Sequence, residues 1–126
     1  AYYFAELDAI SIEKLVLMSV PAELTDVEKV FFDTLGVNKR THQAFIKVFE
    51  EQFNLKREYF SIASYMKKID ISGLVIHDEK DDVAPFEGGK RIHKNWKNSK
   101  FLATKTLGHS VEGEEVYQAI LTSFEA

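Results

Sequence analysis

Two short stretches concentrate the side chains that could move a proton or attack a carbonyl. The first, HDEKDDVAP (77–85), offers an imidazole at His77 and carboxylates at Asp78, Glu79, Asp81 and Asp82. The second, TKTLGHSVEGEE (104–115), offers His109 with Ser110 beside it. A carboxylate that accepts the Nδ1–H of a histidine fixes the ring's tautomer and leaves Nε2 to act as a general base. A carboxylate such as Asp81, with His109 following 28 positions later (109 minus 81), suits that arrangement if the two loops meet. Asp82 is the alternative acid.

Ser110 is the obvious nucleophile to test, because Gly108-His109-Ser110 begins like the strand-to-helix turn G-x-S-x-G that presents an activated serine. The pattern fails at Glu112, where tight packing demands a residue without a bulky side chain, and Gly113 comes one position too late. No G-x-S-x-G occurs in the 126 residues. Ser110 is instead expected to cap the N-terminus of a closing helix, a role serine fills well.

Other chemistries fit less well. The acidic cluster at 78–82 lacks the regular alternation and the distal glutamate of a calcium loop, so no metal site is expected there. Gly88-Gly89 has no Lys-Ser/Thr after it and reads as close packing at a helix start, not as a phosphate loop. His77, at a strand end, reads as a structural histidine bonded beneath the acid loop. His93, flanked by Lys90, Arg91 and Lys94, reads as a solvated helix position, and His42 has no carboxylate neighbours in sequence to suggest a metal. No cofactor is implied.

The elements that must position these loops show in the apolar patterning. Leu15 to Met18 form a short continuous apolar run ended by Pro21, as in a buried parallel strand. ISGLVIHD (71–78) and KFLATKT (100–106) are two more strands, separated by a helix over FEGGKRIHKNWKN. Residues 111–125 carry Val116, Tyr117, Ile120, Leu121 and Phe124 at helical spacing and predict an amphipathic helix. Between the first two strands, residues 22–68 read as a helical insertion. Its first helix is expected to start at a Thr25/Glu28 capping box, to bury Val27, Val30, Phe31 and Leu35, and to stop at Gly36. The fold class is therefore α/β: a three-strand parallel sheet with flanking helices and a helical cap insertion. In such sheets chemistry gathers beyond the carboxyl ends of the strands, where both candidate loops lie. The edge of the first strand is expected to need covering by further chain or a second copy.

SGLVIHDEKDDVAPFEGGKRI resembles the catalytic-acid region of the α/β-hydrolase superfamily, in which a strand ends in His-Gly-x-x-Asp-x-x-x-Pro. That resemblance puts the acid on Asp81, with Pro85 in register and Asp78 standing in place of the glycine. LGHS is similar to the family's catalytic-histidine loop, which assigns the base to His109, and IEKLVLMSVPA is similar to its sixth strand. The Asp78 variant, with NW near 96 and ATKTLGH, resembles a subgroup of bacterial members.

In that superfamily the nucleophile precedes the acid and the histidine along the chain. The resemblance therefore implies that residues 1–126 are the C-terminal part of one hydrolase domain, with the cap at about 22–68. AYYFAEL looks like the last turns of the helix that follows the nucleophile. What it implies for activity is hydrolysis of a carboxylic ester or related acyl compound by a longer parent, with this chain inactive alone. The expected partners are a small-molecule acyl substrate and either the N-terminal half of the same protein or a second copy in a homo-oligomer. The alternative is a non-catalytic interaction module that self-associates through its exposed strand edge.

Composition narrows the field further. An apolar fraction of 45% with 13% aromatics is that of a core former, not a disordered chain. With 16 basic and 20 acidic residues interspersed and a net charge of −4, neither nucleic acid nor an anionic membrane is an expected partner. The absence of cysteine, of a signal peptide and of any apolar run near ~20 residues points to the cytoplasm. Phe31, Phe32, Phe45, Phe49 and Phe53 in the cap are expected to be mostly core, with a weak lean toward apolar acyl groups.

Overall fold

Apolar residues at alternate positions of three short strands divide between two faces of one sheet. The computed structural model describes residues 11–125, so the expected helix end at AYYFAEL lies outside the described residues. Strands β1 (Lys14–Met18), β2 (Ser72–Asp78) and β3 (Ser99–Thr104) pair in parallel in the order β1-β2-β3. The register sets Val16 beside Leu74 and Val75 beside Phe101. Val75, with Leu15, Leu17 and Phe101, packs on a cluster containing Ala22, Met66 and Trp96. Leu74 and Ile76, with Val16 and Leu102, pack on the opposite side against Val111 and Val116. Period-two alternation thus supplies both cores of a helix-sheet-helix sandwich.

The helices covering these faces are α1 (Leu24–Leu35), α2 (Lys39–Phe53), the short α3 (Ile62–Met66), α4 (Phe86–Asn95) and α5 (Glu114–Phe124). Single 3-10 turns lie at Arg57–Tyr59 and Gly108–Ser110. Helix α4 supplies Ile92 to one face, and the chain just beyond it supplies Trp96, both fully buried. Helix α5 presents Val116, Ala119 and Ile120 to the other face.

Two expectations about helix starts are corrected. Thr25 lies inside α1, whose N-cap is Glu23 without a side-chain bond. Glu28 does not reach back to a capping threonine; it turns inward, 7% exposed, and pairs with Arg57 of the 3-10 turn. A buried carboxylate gains more from a guanidinium than from a surface cap. The stop at Gly36 is as expected: it takes φ 63 and its N–H bonds Asp33 O. Helix α5 begins at Glu114 with Gly113 as N-cap, so Ser110 does not cap it. Ser110 sits three residues earlier, and its hydroxyl faces Leu107 O at 3.5 Å.

The cap buries less than its patterning predicts. On α1 the buried aromatic is Phe32, while Phe31 and Leu35 are exposed. Helix α2 buries no residue completely, and Phe45, Val48 and Phe53 are exposed. A chain of ring contacts, Phe32 to Phe45 at 5.2 Å, Phe45 to Phe49 at 6.2 Å and Phe49 to Phe60 at 6.0 Å, holds the insertion together along one side. Most of the cap phenylalanines are therefore not core among the described residues.

Candidate active site

Strand β2 delivers two consecutive side chains to opposite faces at its carboxyl end. His77 shares the face of Val75 and lies under α4; Asp78 shares the face of Ile76 and lies under the turn that carries His109. Both are fully buried. The chain then turns through Glu79 and Lys80 to Asp81, whose N–H bonds Asp78 O at 3.2 Å.

The Asp81 carboxylate is fully buried among donors. Its Oδ1 accepts the N–H of Val83 at 2.9 Å and of Ala84 at 2.8 Å, an Asx-type turn that closes the loop on its own acid. His109 Nδ1 lies 3.0 Å from Oδ2 and 3.1 Å from Oδ1. Burial alone would raise the Asp81 carboxyl; hydrogen bonds from Ala84, His109 and Val83 outweigh it and hold it below the usual carboxylate range. An ionised Asp81 is acceptor-only, so His109 Nδ1 carries the proton and donates. The ring is 44% exposed, and its Nε2 is the nitrogen left to accept a proton. Asp82 is exposed and is not the carboxylate that His109 meets.

His77 supports the acid loop from below. Its Nε2–H donates to Ala84 O at 2.8 Å and lies 3.3 Å from Asp81 Oδ2. Nδ1 then carries a lone pair, buried without a partner, facing Gly89 of α4. A Cβ at Gly89 would stand 2.5 Å from that nitrogen, so the glycine is what lets the helix pack onto the histidine.

Asp78 is the residue whose role the sequence reading missed. Its Oδ2 accepts the Thr104 hydroxyl at 2.6 Å and the Leu107 N–H at 2.9 Å, and its Oδ1 accepts the Lys80 N–H at 2.8 Å. Burial would raise its pKa, but these bonds, with one from the Gly108 N–H, lower it to about 2. The signal was present as the departure from glycine at 78, but apart from Lys80 the donors lie on the next strand and beyond it.

The turn bearing His109 lies between two left-handed residues, Gly108 at φ 65 and Val111 at φ 45. A β-branched residue rarely takes that conformation. Val111 holds it because its side chain is buried against Leu74, Ile76 and Val116. Ser19, just beyond β1, is also left-handed at φ 48, with its N–H bonded to Ile76 O at 2.9 Å and its buried hydroxyl unpartnered. Nothing in its sequence context signalled that strain.

The remaining histidines do other work. His93, expected in solvent, is half-buried: Nδ1 meets Ser99 Oγ at 2.8 Å and the ring stacks on Phe101 at 5.5 Å. Its neighbouring cations misled because the side of α4 carrying His93 faces β3. His42 lies tilted against Phe32 with ring centroids 4.2 Å apart, and its Nε2 is 3.9 Å from Glu28. Among the described residues no group of three or more histidines and carboxylates is placed to hold a metal ion. Among the same residues no helix is long and apolar enough to cross a membrane.

No protein-family model and no curated protein matches the sequence. Solved structures do match. The esterase Pf2001 of Pyrococcus furiosus is similar over 98% of this chain and 46% of its own, with TM-score 0.64 and 17% identity. The meta-cleavage product hydrolase of Pseudomonas fluorescens IP01 is similar over 89% of this chain and 55% of its own, with TM-score 0.57 and 17% identity. Rv0554 of Mycobacterium tuberculosis is similar over 97% of this chain and 59% of its own, with TM-score 0.55 and 16% identity. The chain spans roughly half the length of each of these structures. With its three parallel strands, flanking helices and helical insertion, it carries a part of the α/β-hydrolase fold.

Proposed function

We propose that this chain supplies the acid and the histidine of a Ser-His-Asp hydrolase acting on carboxylic esters or related acyl compounds. Asp81 orients the imidazole; His109 Nε2 takes the proton of a nucleophile and returns it to the leaving group. The nucleophile and the oxyanion donors belong to a segment outside residues 1–126. The observation that carries the reading is the buried Asp81 carboxylate bonded to Nδ1 of an exposed His109, at 3.0 and 3.1 Å. The hydrolase character of the structural neighbours and the partial coverage of their chains support it. Ser110 is not the nucleophile in this account, because its hydroxyl faces Leu107 O, and neighbouring ring and hydroxyl in one 3-10 turn do not form the required pair.

The reading is tested on the isolated chain with a p-nitrophenyl ester reporter and a serine-directed phosphonate. The expected result is neither turnover above background nor labelling of Ser110; stoichiometric phosphonylation of Ser110 would place the nucleophile inside this chain and end the proposal.

A self-associating module without catalysis is the second reading. What favours it is β1, which pairs on one side only among the described residues.

A further inference from the structure

We propose that Asp78 is a positioning residue whose buried carboxylate ties the acid loop to the histidine turn and so sets His109 against Asp81. The inference rests on Asp81 and His109 being the acid and base of the proposed function. Its geometric ground is that the two oxygens hold different loops. Oδ1 takes the N–H of Lys80, the residue immediately before Asp81. Oδ2 takes the N–H of Leu107, two residues before His109, and the hydroxyl of Thr104 at the end of β3. One rigid side chain on β2 therefore fixes the starting points of both loops whose side chains must meet.

The residue type follows from the partners. All four groups facing the carboxylate, the Thr104 hydroxyl and the N–H groups of Lys80, Leu107 and Gly108, are donors, and only an ionised carboxylate accepts at both oxygens. An asparagine of the same shape would turn its NH2 toward one donor, Lys80 or Leu107, and leave it unbonded in a buried place. A glycine at 78 would release both. Beyond His109, Val111 anchors the turn in the core, so Asp78 and Val111 hold its two ends. Loss of the Asp78 tie frees the Leu107 end.

The test is made on the chain itself and needs no catalysis. Imidazole 15N shifts report which ring nitrogen of neutral His109 carries the proton, and amide exchange reports the bonds of Lys80 and Leu107. In the wild type the Nδ1–H form should predominate. In Asp78→Asn that predominance should be lost, and exchange at Lys80 or Leu107 should quicken roughly tenfold or more. A folded Asp78→Asn whose His109 shifts match the wild type overturns the proposal, even if amide exchange changes. If Asp78→Asn does not fold, Thr104→Val decides. It removes one donor to Oδ2 at nearly constant volume, and a reduced Nδ1–H population supports the proposal while unchanged shifts overturn it. A wild type without the Nδ1–H form would instead overturn the Asp81–His109 pair, and Asp78's role with it, so the two failures are told apart by which protein shows them.

Discussion

The side chains at the strand ends divide into those that face the chemistry and those that hold them. Asp81 is saturated with donors, and His109 is tied at one nitrogen and open at the other. Asp78 and His77, both buried, fix the ground beneath them. The depressed Asp78 titration carries a pH dependence whose sign is set. Its folded pKa of about 2 lies below the ordinary 3.8, so the unfolded chain takes up a proton first as pH falls. The stability it contributes is complete above about pH 4 and is lost on acidification toward about pH 2. Asp81, shifted in the same direction, adds to it. Urea midpoints should therefore drop as pH falls from about 4 to about 2, and drop less in Asp78→Asn; equal slopes in the two proteins would count against the assignment. The apolar strands pointed to the two loops that meet, and the resemblance to the hydrolase acid region singled out Asp81 within its loop; of the donors to Asp78, Lys80 is local, but Thr104 and Leu107 lie 26 and 29 positions away. No local pattern records such a meeting.

At the scale of elements, strands were read more faithfully than cap helices. The apolar runs at Leu15 to Met18 and Leu74 to Ile76 are strands as read, but only β2 is buried; β1 is half-buried with Met18 exposed, and alternation along each sets which face a side chain takes. The cap has more apolar positions than it buries, so helical periodicity gave a stripe but not which side faced inward. That is why Phe31 and Leu35 lie outside while Phe32 and Glu28 lie inside. The Gly88-Gly89 pair was read correctly as close packing: Gly88 backs onto Ala22 and Gly89 onto His77. Alanine at 89 would improve helix propensity by at most about 1 kcal/mol. Against that, its Cβ would stand 2.5 Å from the His77 ring, and overpacking of this kind costs about 1–3 kcal/mol. Gly89→Ala should thus lower thermal stability and disturb the Ala84 contact of His77, whereas Gly88→Ala, 3.2 Å from Ala22, should cost less. A stabilised Gly89→Ala in calorimetry would show that α4 does not rest on that ring.

Taken whole, the molecule leaves apolar surface where a larger body would be expected to continue. Phe45, Val48 and Phe53 on α2 and Tyr117, Leu121 and Phe124 on α5 are exposed, and β1 pairs on one side only among the described residues. Such surface favours association. Light scattering of the isolated chain should report a dimer or larger species, and a monodisperse monomer across the micromolar range would remove the self-association reading. The central claim is tested most directly on the longer polypeptide that the proposal requires, by active-site labelling with a serine-directed phosphonate. The account predicts labelling of a serine outside residues 1–126, slowed by roughly 10³-fold or more in His109→Ala and in Asp81→Asn. Labelling at Ser110, or at any serine with a rate indifferent to His109, would contradict it.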